Sequence, residues 1–68
     1  MDREFQQKMT IVVEALKRAG YVPYDQLTGY IRTNNLSYIT RQGNARELVS
    51  EMDPSMIRIY LQQTSNML

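Results

Sequence analysis

Two arginines, Arg41 and Arg46, flank a Gly43-Asn44 break, and a pair of guanidinium forks at such spacing can clamp a phosphate or a carboxylate bidentately. Arg41 is the candidate contact for a partner. Arg46 reads more simply as a structural residue, with Asp25, Glu47 and Glu51 available to pair with it, because paired arginines are usually satisfied within the fold. The five tyrosines are the next chemistry-bearing set, since aromatic rings can stack on bases or sugars. Tyr24, Tyr30, Tyr38 and Tyr60 recur at the spacing of apolar helix faces and lack a surrounding basic groove, so core packing with the hydroxyl at the surface is the simpler role. Asp25 and Glu51 are ordinary helix-face carboxylates, and nothing marks them as an acid-base pair.

The absences are as informative. Cysteine and histidine are both missing, which removes thiol nucleophiles, an imidazole base near neutral pH, disulfides and a structural zinc site. Neither a cofactor nor a metal is expected, and the chain reads as no enzyme. A net charge of +1 with interspersed signs gives no field for nucleic acid or an anionic membrane. The longest apolar run, Ile11-Val12-Val13, is far too short to span a bilayer, and the N-terminus lacks a signal-peptide pattern, so the expected compartment is the cytoplasm.

The elements that hold these residues are all helical. From Asp2 to Ala19, Phe5, Met9, Val12 and Leu16 recur at helical spacing, with Val13 and Ala19 widening the stripe; Asp2 can cap the start and Gly20 the end. Ile11 lies off that stripe with Ala15 beside it, a secondary apolar strip. Pro23 opens a second helix to about Arg32, with Tyr24, Leu27, Tyr30 and Ile31 on its apolar face. Gly29 in its interior costs about 1 kcal/mol relative to alanine, which predicts another backbone passing close by. Asn35 can cap a short segment holding Leu36, Tyr38 and Ile39. Asn44 and Glu47 stand in capping-box spacing before a helix with Leu48, Val49 and Met52. Asp53-Pro54 starts a last helix with Met56, Ile57, Tyr60 and Leu61, and Gln62 onward reads as a fraying tail.

The string Gly20-Tyr21-Val22-Pro23-Tyr24-Asp25-Gln26-Leu27-Thr28-Gly29-Tyr30-Ile31, followed by Tyr38-Ile39, Ala45-Arg46 and Tyr60-Leu61, resembles the IreB family of Firmicutes. Its members read GYxPxxQxxGY, then a YI pair, an AR pair and a closing YL, and the resemblance runs from about Ala15 to Leu61. It implies a helical, homodimeric, cytosolic regulator that is a substrate of a membrane-bound Ser/Thr kinase sensing cell-wall stress. This sequence departs from the pattern at three places. Members carry a longer N-terminal arm with the phosphorylated threonines, whereas Thr10 is the only threonine here before Gly20 and falls within the first helix. The segment between Ala45-Arg46 and Tyr60-Leu61 is shorter, and Asn35-Leu36 replaces an Asp-Pro before the YI pair. The phosphosites therefore have no counterpart, as in a paralogue that kept the scaffold and lost the switch.

The expectation is an all-α single domain over residues 1–68, compact, of four or five short helices and homodimeric. A 68-residue chain buries only about 60% of its unfolded surface, and oligomerisation is the remaining way to offset a small core. Its partners are a second copy, through Ile11 and Ala15, and an unidentified protein of a Ser/Thr-kinase pathway. The alternative is a small helical nucleic-acid-binding domain, which would need clustered Lys and Arg for phosphate contacts.

Overall fold

The first stripe of apolar residues forms helix α1 (Arg3–Arg18) in a computed structural model that describes residues 3–64. Phe5, Met9, Val12, Val13 and Leu16 are all buried on its inner face. Gly20 ends it in the left-handed conformation (φ 88°), which lets Tyr21 N donate to Leu16 O at 3.0 Å. The cap expected at Asp2 lies outside the described residues.

Pro23 then starts α2 (Pro23–Thr33), with Val22 held extended as a residue before proline must be. Asn34 closes it at φ 55°, its N–H donating to Tyr30 O at 2.7 Å. A 3-10 turn at Leu36–Tyr38 follows, and Asn35 caps it by accepting from Ser37 N at 3.0 Å. Ile39, just beyond, is fully buried.

A second 3-10 turn at Gln42–Asn44 leads into α3 (Ala45–Ser50). The capping box expected at Asn44 and Glu47 does not form. Asn44 is itself left-handed (φ 62°, after Gly43 at φ 61°), and its side chain makes no cap bond. Backbone carbonyls satisfy the helix start instead: Ala45 N donates to Gln42 O, and Arg46 N to Thr40 O at 3.1 Å. At α4 (Pro54–Thr64) the expected start is present, with Asp53 Oδ1 accepting from Ser55 N at 2.9 Å. Helical structure runs past Gln62 to Thr64, so the tail read as starting at Gln62 is helical over its first three residues, and its remainder, 65–68, lies outside the described residues.

The fold is all-α, four helices and two short 3-10 turns among the described residues. α1 packs on α3 and on the Gln42–Asn44 turn, while α2 packs on α4 and on the Leu36–Tyr38 turn. Met9, Val12, Leu16, Leu27, Ile39, Val49 and Ile57 form a fully buried centre, to which each helix and the loop after α2 contribute. The Phe5 ring meets Tyr60 edge-on, centroids 6.3 Å apart at 71°, which ties the start of α1 to α4.

Across the surface, Lys8 on α1 pairs with Glu4 at 3.5 Å and with Glu51, just after α3, at 3.3 Å. The hydrogen bond to Glu51 holds the Lys8 ammonium above its ordinary 10.5, with burial opposing and the charge of Glu4 adding to the rise. A folded-state pKa raised above the unfolded value means that the contribution is fully present at neutral pH and is lost as pH climbs through the raised value. Melts of the wild type and Lys8→Met are therefore expected to differ by a constant small amount up to pH 9 and to converge only at more alkaline pH (about 10 and above). Convergence near neutral pH would contradict the assignment.

Candidate functional site

The residues of the recurrent sequence blocks serve mostly as scaffold. Gly20 supplies the left-handed helix end, and Pro23 is buried at the first position of α2. Gln26, on α2, accepts from Thr40 N at 3.0 Å through its Oε1 and so staples the loop after Ile39 to the helix. Tyr30, Ile39, Ala45 and Leu61 are core, and Tyr60 is half-buried against Phe5. Tyr21 stands outside the core, 45% exposed.

Gly29 has a packing reason, though not the expected one. The neighbour is the ring of Tyr38 rather than another backbone: a Cβ added at Gly29 would fall 2.7 Å from Cδ1 and 3.2 Å from Cγ of that ring. Tyr38 is not a core residue as the pattern suggested; it is 49% exposed, one side against the glycine and the rest in solvent. The 3-10 turn explains the difference, because three residues of tighter winding place Ile39 inward and leave Tyr38 on the rim.

Arg46 is structural in a way the charges did not indicate. Its Nε donates to Ile39 O at 2.8 Å, and no carboxylate among the described residues pairs with it. The guanidinium thus caps a half-buried carbonyl in the loop that α2 also holds through Gln26. Removing it leaves that carbonyl without its charged donor, a loss of about 1.5–3 kcal/mol. Urea unfolding of Arg46→Ala is expected to show a fall of that order, with Arg46→Lys recovering little, because a lysine lacks the Nε–H. A neutral Arg46→Ala would refute the structural role.

Three surface features remain as candidates for contact. Arg41 is exposed and lines a groove of about 430 Å³ with Arg46, Leu36 and Glu47. A larger groove of about 580 Å³ lies between α2 and α4, lined by Tyr24, Thr28, Ile31, Arg32, Arg58 and Leu61 together with Gln62; nothing in the spacing of Arg32 and Arg58 announced it, since the two lie on different helices. On α1, Ile11 is 51% exposed and Ala15 is partly buried, and both line one shallow concavity. Gly43 of the same chain packs so closely on Ala15 that a Cβ there would lie 2.8 Å from Ala15 Cβ, so the glycine forms part of the same surface. Among the described residues no three acidic side chains gather where they could hold a metal ion, and no helix is long and apolar enough to cross a membrane.

Comparison with known proteins extends the resemblance beyond the motif blocks. Residues 1–62 match the family described as IreB regulatory phosphoprotein, so the likeness includes α1 and is not confined to residues 15–61. The chain is 31% identical to a UPF0297 protein of Ruminiclostridium cellulolyticum, over 96% of this chain and 80% of that relative. No solved structure matches it. With residues 1–62 matching the family and 96% of the chain covered by a relative at 31% identity, the chain belongs to the IreB family of regulatory phosphoproteins.

Proposed function

We propose that this chain is a non-catalytic regulator that acts as a cytoplasmic homodimer through protein contacts, in a Ser/Thr-kinase-linked response to cell-envelope stress. The observation that carries the reading is where the chemistry-bearing residues lie. Most motif residues are consumed in the scaffold, as helix ends, core or ties of the loop between α2 and α3, while large apolar side chains, Ile11 and Val22 at 51% and Ile59 at 47%, remain outside the core. Such side chains serve a protein contact where they gather into one patch. Membership of a family of regulatory phosphoproteins supports the same reading, as does a sequence with neither histidine nor cysteine.

Affinity capture from a Gram-positive lysate tests it, with Ile11→Glu as the non-dimerising control. The wild type is expected to retain a reproducible partner belonging to a Ser/Thr-kinase pathway, and recovery of its own copy alone would contradict the proposal. Phosphorylation of this chain is a separate matter. Thr10 Oγ1 donates to Gln6 O at 3.0 Å and Thr33 Oγ1 to Gly29 O at 2.7 Å, both within helices, whereas kinases read extended chain. Incubation with a cell-wall-sensing Ser/Thr kinase is expected to leave the protein largely unlabelled. Stoichiometric phosphate mapped to Thr10 or Thr33 would show that the helices open for the kinase and that the switch is retained.

A further inference from the structure

We propose that the groove between α2 and α4 is a binding site for a small phosphomonoester carrying an apolar body. Its volume of about 580 Å³ lies within the ~300–1,000 Å³ typical of ligand pockets. Leu61, Ile31 and Tyr24 supply the apolar lining. Arg32, in the last turn of α2, and Arg58, on α4, line the same groove from its two walls.

Neither arginine has an ion-pair or hydrogen-bond partner among the described residues, and no carboxylate lines the groove. Two unpaired guanidinium groups on the lining of one groove give it a positive potential that an anion offsets. The groove beside Arg41 lacks this property. There Arg46 is already engaged by Ile39 O, and Glu47 contributes a negative charge to the lining.

A hydroxyl beside the α2–α4 groove is also unsatisfied among the described residues. Thr10, Thr33 and Thr64 each donate to the carbonyl four residues earlier, as helical threonines commonly do. Thr28 is helical as well, yet its Oγ1 is buried with no partner. A buried hydroxyl with no partner calls for one from outside the chain. Thr28 lines the same groove as the two arginines; its covered Oγ1 reaches a ligand once the side chain turns toward the groove, where a phosphate oxygen accepts from a hydroxyl and from guanidinium forks alike.

Charge selects the ligand class. A phosphomonoester carries about −1.5 to −2 at neutral pH and offers three acceptor oxygens, which matches two arginines and one hydroxyl. A carboxylate brings half that charge. The apolar lining favours an organic body over inorganic phosphate, because Tyr24, Ile31 and Leu61 gain nothing from a bare anion.

The test is a titration of the isotopically labelled full chain by nuclear magnetic resonance, at fixed ionic strength, with phenyl phosphate, benzoate and inorganic phosphate in separate arms. Phenyl phosphate is expected to give saturable shifts at Thr28, Arg32 and Arg58, and to bind at least about fivefold more tightly than benzoate or inorganic phosphate. Arg32→Gln and Arg58→Gln, both at exposed positions, are each expected to weaken it about tenfold without altering the remainder of the spectrum. Arg41→Gln leaves it unchanged. Shifts that do not saturate, that centre on Arg41, or that persist unaltered in both groove variants overturn the proposal. Equal binding of inorganic phosphate overturns the apolar part. Tighter binding of acetyl-phosphothreonine-amide than of phenyl phosphate replaces a small ligand by a phosphorylated protein and overturns the assignment to a small molecule.

Discussion

Replacing Gly29 by leucine is expected to destabilise the protein by more than about 2 kcal/mol, well beyond the difference in helix propensity, which favours leucine at this position. A leucine side chain must occupy the place of the Tyr38 ring, since even its first carbon would fall 2.7 Å from Cδ1. Tyr38 can swing outward because half of it is already in solvent, but it belongs to a turn whose next residue, Ile39, is fully buried in the core. Displacing the turn also disturbs the Arg46 bond to Ile39 O and the Gln26 bond to Thr40 N. Gly29→Ala separates packing from propensity. At an exposed helical position it would gain about 0.5–1 kcal/mol, and here the ring is expected to cancel that gain. Combining Gly29→Ala with Tyr38→Ala should restore it, because the obstacle is then gone, and a double-mutant cycle measures the coupling directly. A clear gain for Gly29→Ala alone, or no coupling in the cycle, would show that the glycine is a merely exposed helical residue.

The Gly29 and Tyr38 contact also marks the boundary of what the sequence made legible. The helices were readable because apolar spacing and local start and stop residues are short-range signals; Pro23, Asn35, Asp53 and Gly20 all act where their chemistry placed them. The pairing of elements was not readable, because it depends on which surfaces meet. That Gly29 needs a close neighbour followed from its helix cost, whereas the neighbour's identity as a ring nine residues later required the turn geometry. Arg46 presents the same case, since carboxylates close in sequence suggested an ion pair and a backbone carbonyl seven residues earlier took the bond. Asn44 misled for a different reason: the preceding glycine turn carries it into the left-handed region, where its side chain no longer meets the helix amides. The groove between α2 and α4 left no trace in the sequence, as Arg32 and Arg58 share neither a motif nor a helix.

The second large effect is expected at Ile11. On the free chain this residue keeps 51% of its surface in water, although it stands on the helix that contributes most to the core. Full burial of an isoleucine contributes about 1.5–3 kcal/mol, so covering the exposed half contributes roughly 1 kcal/mol per copy, and a two-fold contact counts it twice. Ile11→Glu removes that gain and places a charge from each copy in the contact at a desolvation cost, which brings the weakening of association to several kcal/mol. Ala15 and Gly43 line a shallow concavity beside Ile11 and offer the contact a continuation. Ile59 on α4, 47% exposed, supplies the comparison variant. A dimer lost with Ile59→Glu but kept with Ile11→Glu would move the interface from α1 to α4.

Association is the property on which the proposed function rests, and light scattering coupled to size exclusion at micromolar concentration measures it without reference to any partner. The wild type is predicted to elute with the mass of two chains of 8.0 kDa each, and Ile11→Glu with the mass of one. A wild type that remains a single chain across the accessible concentration range would contradict the account.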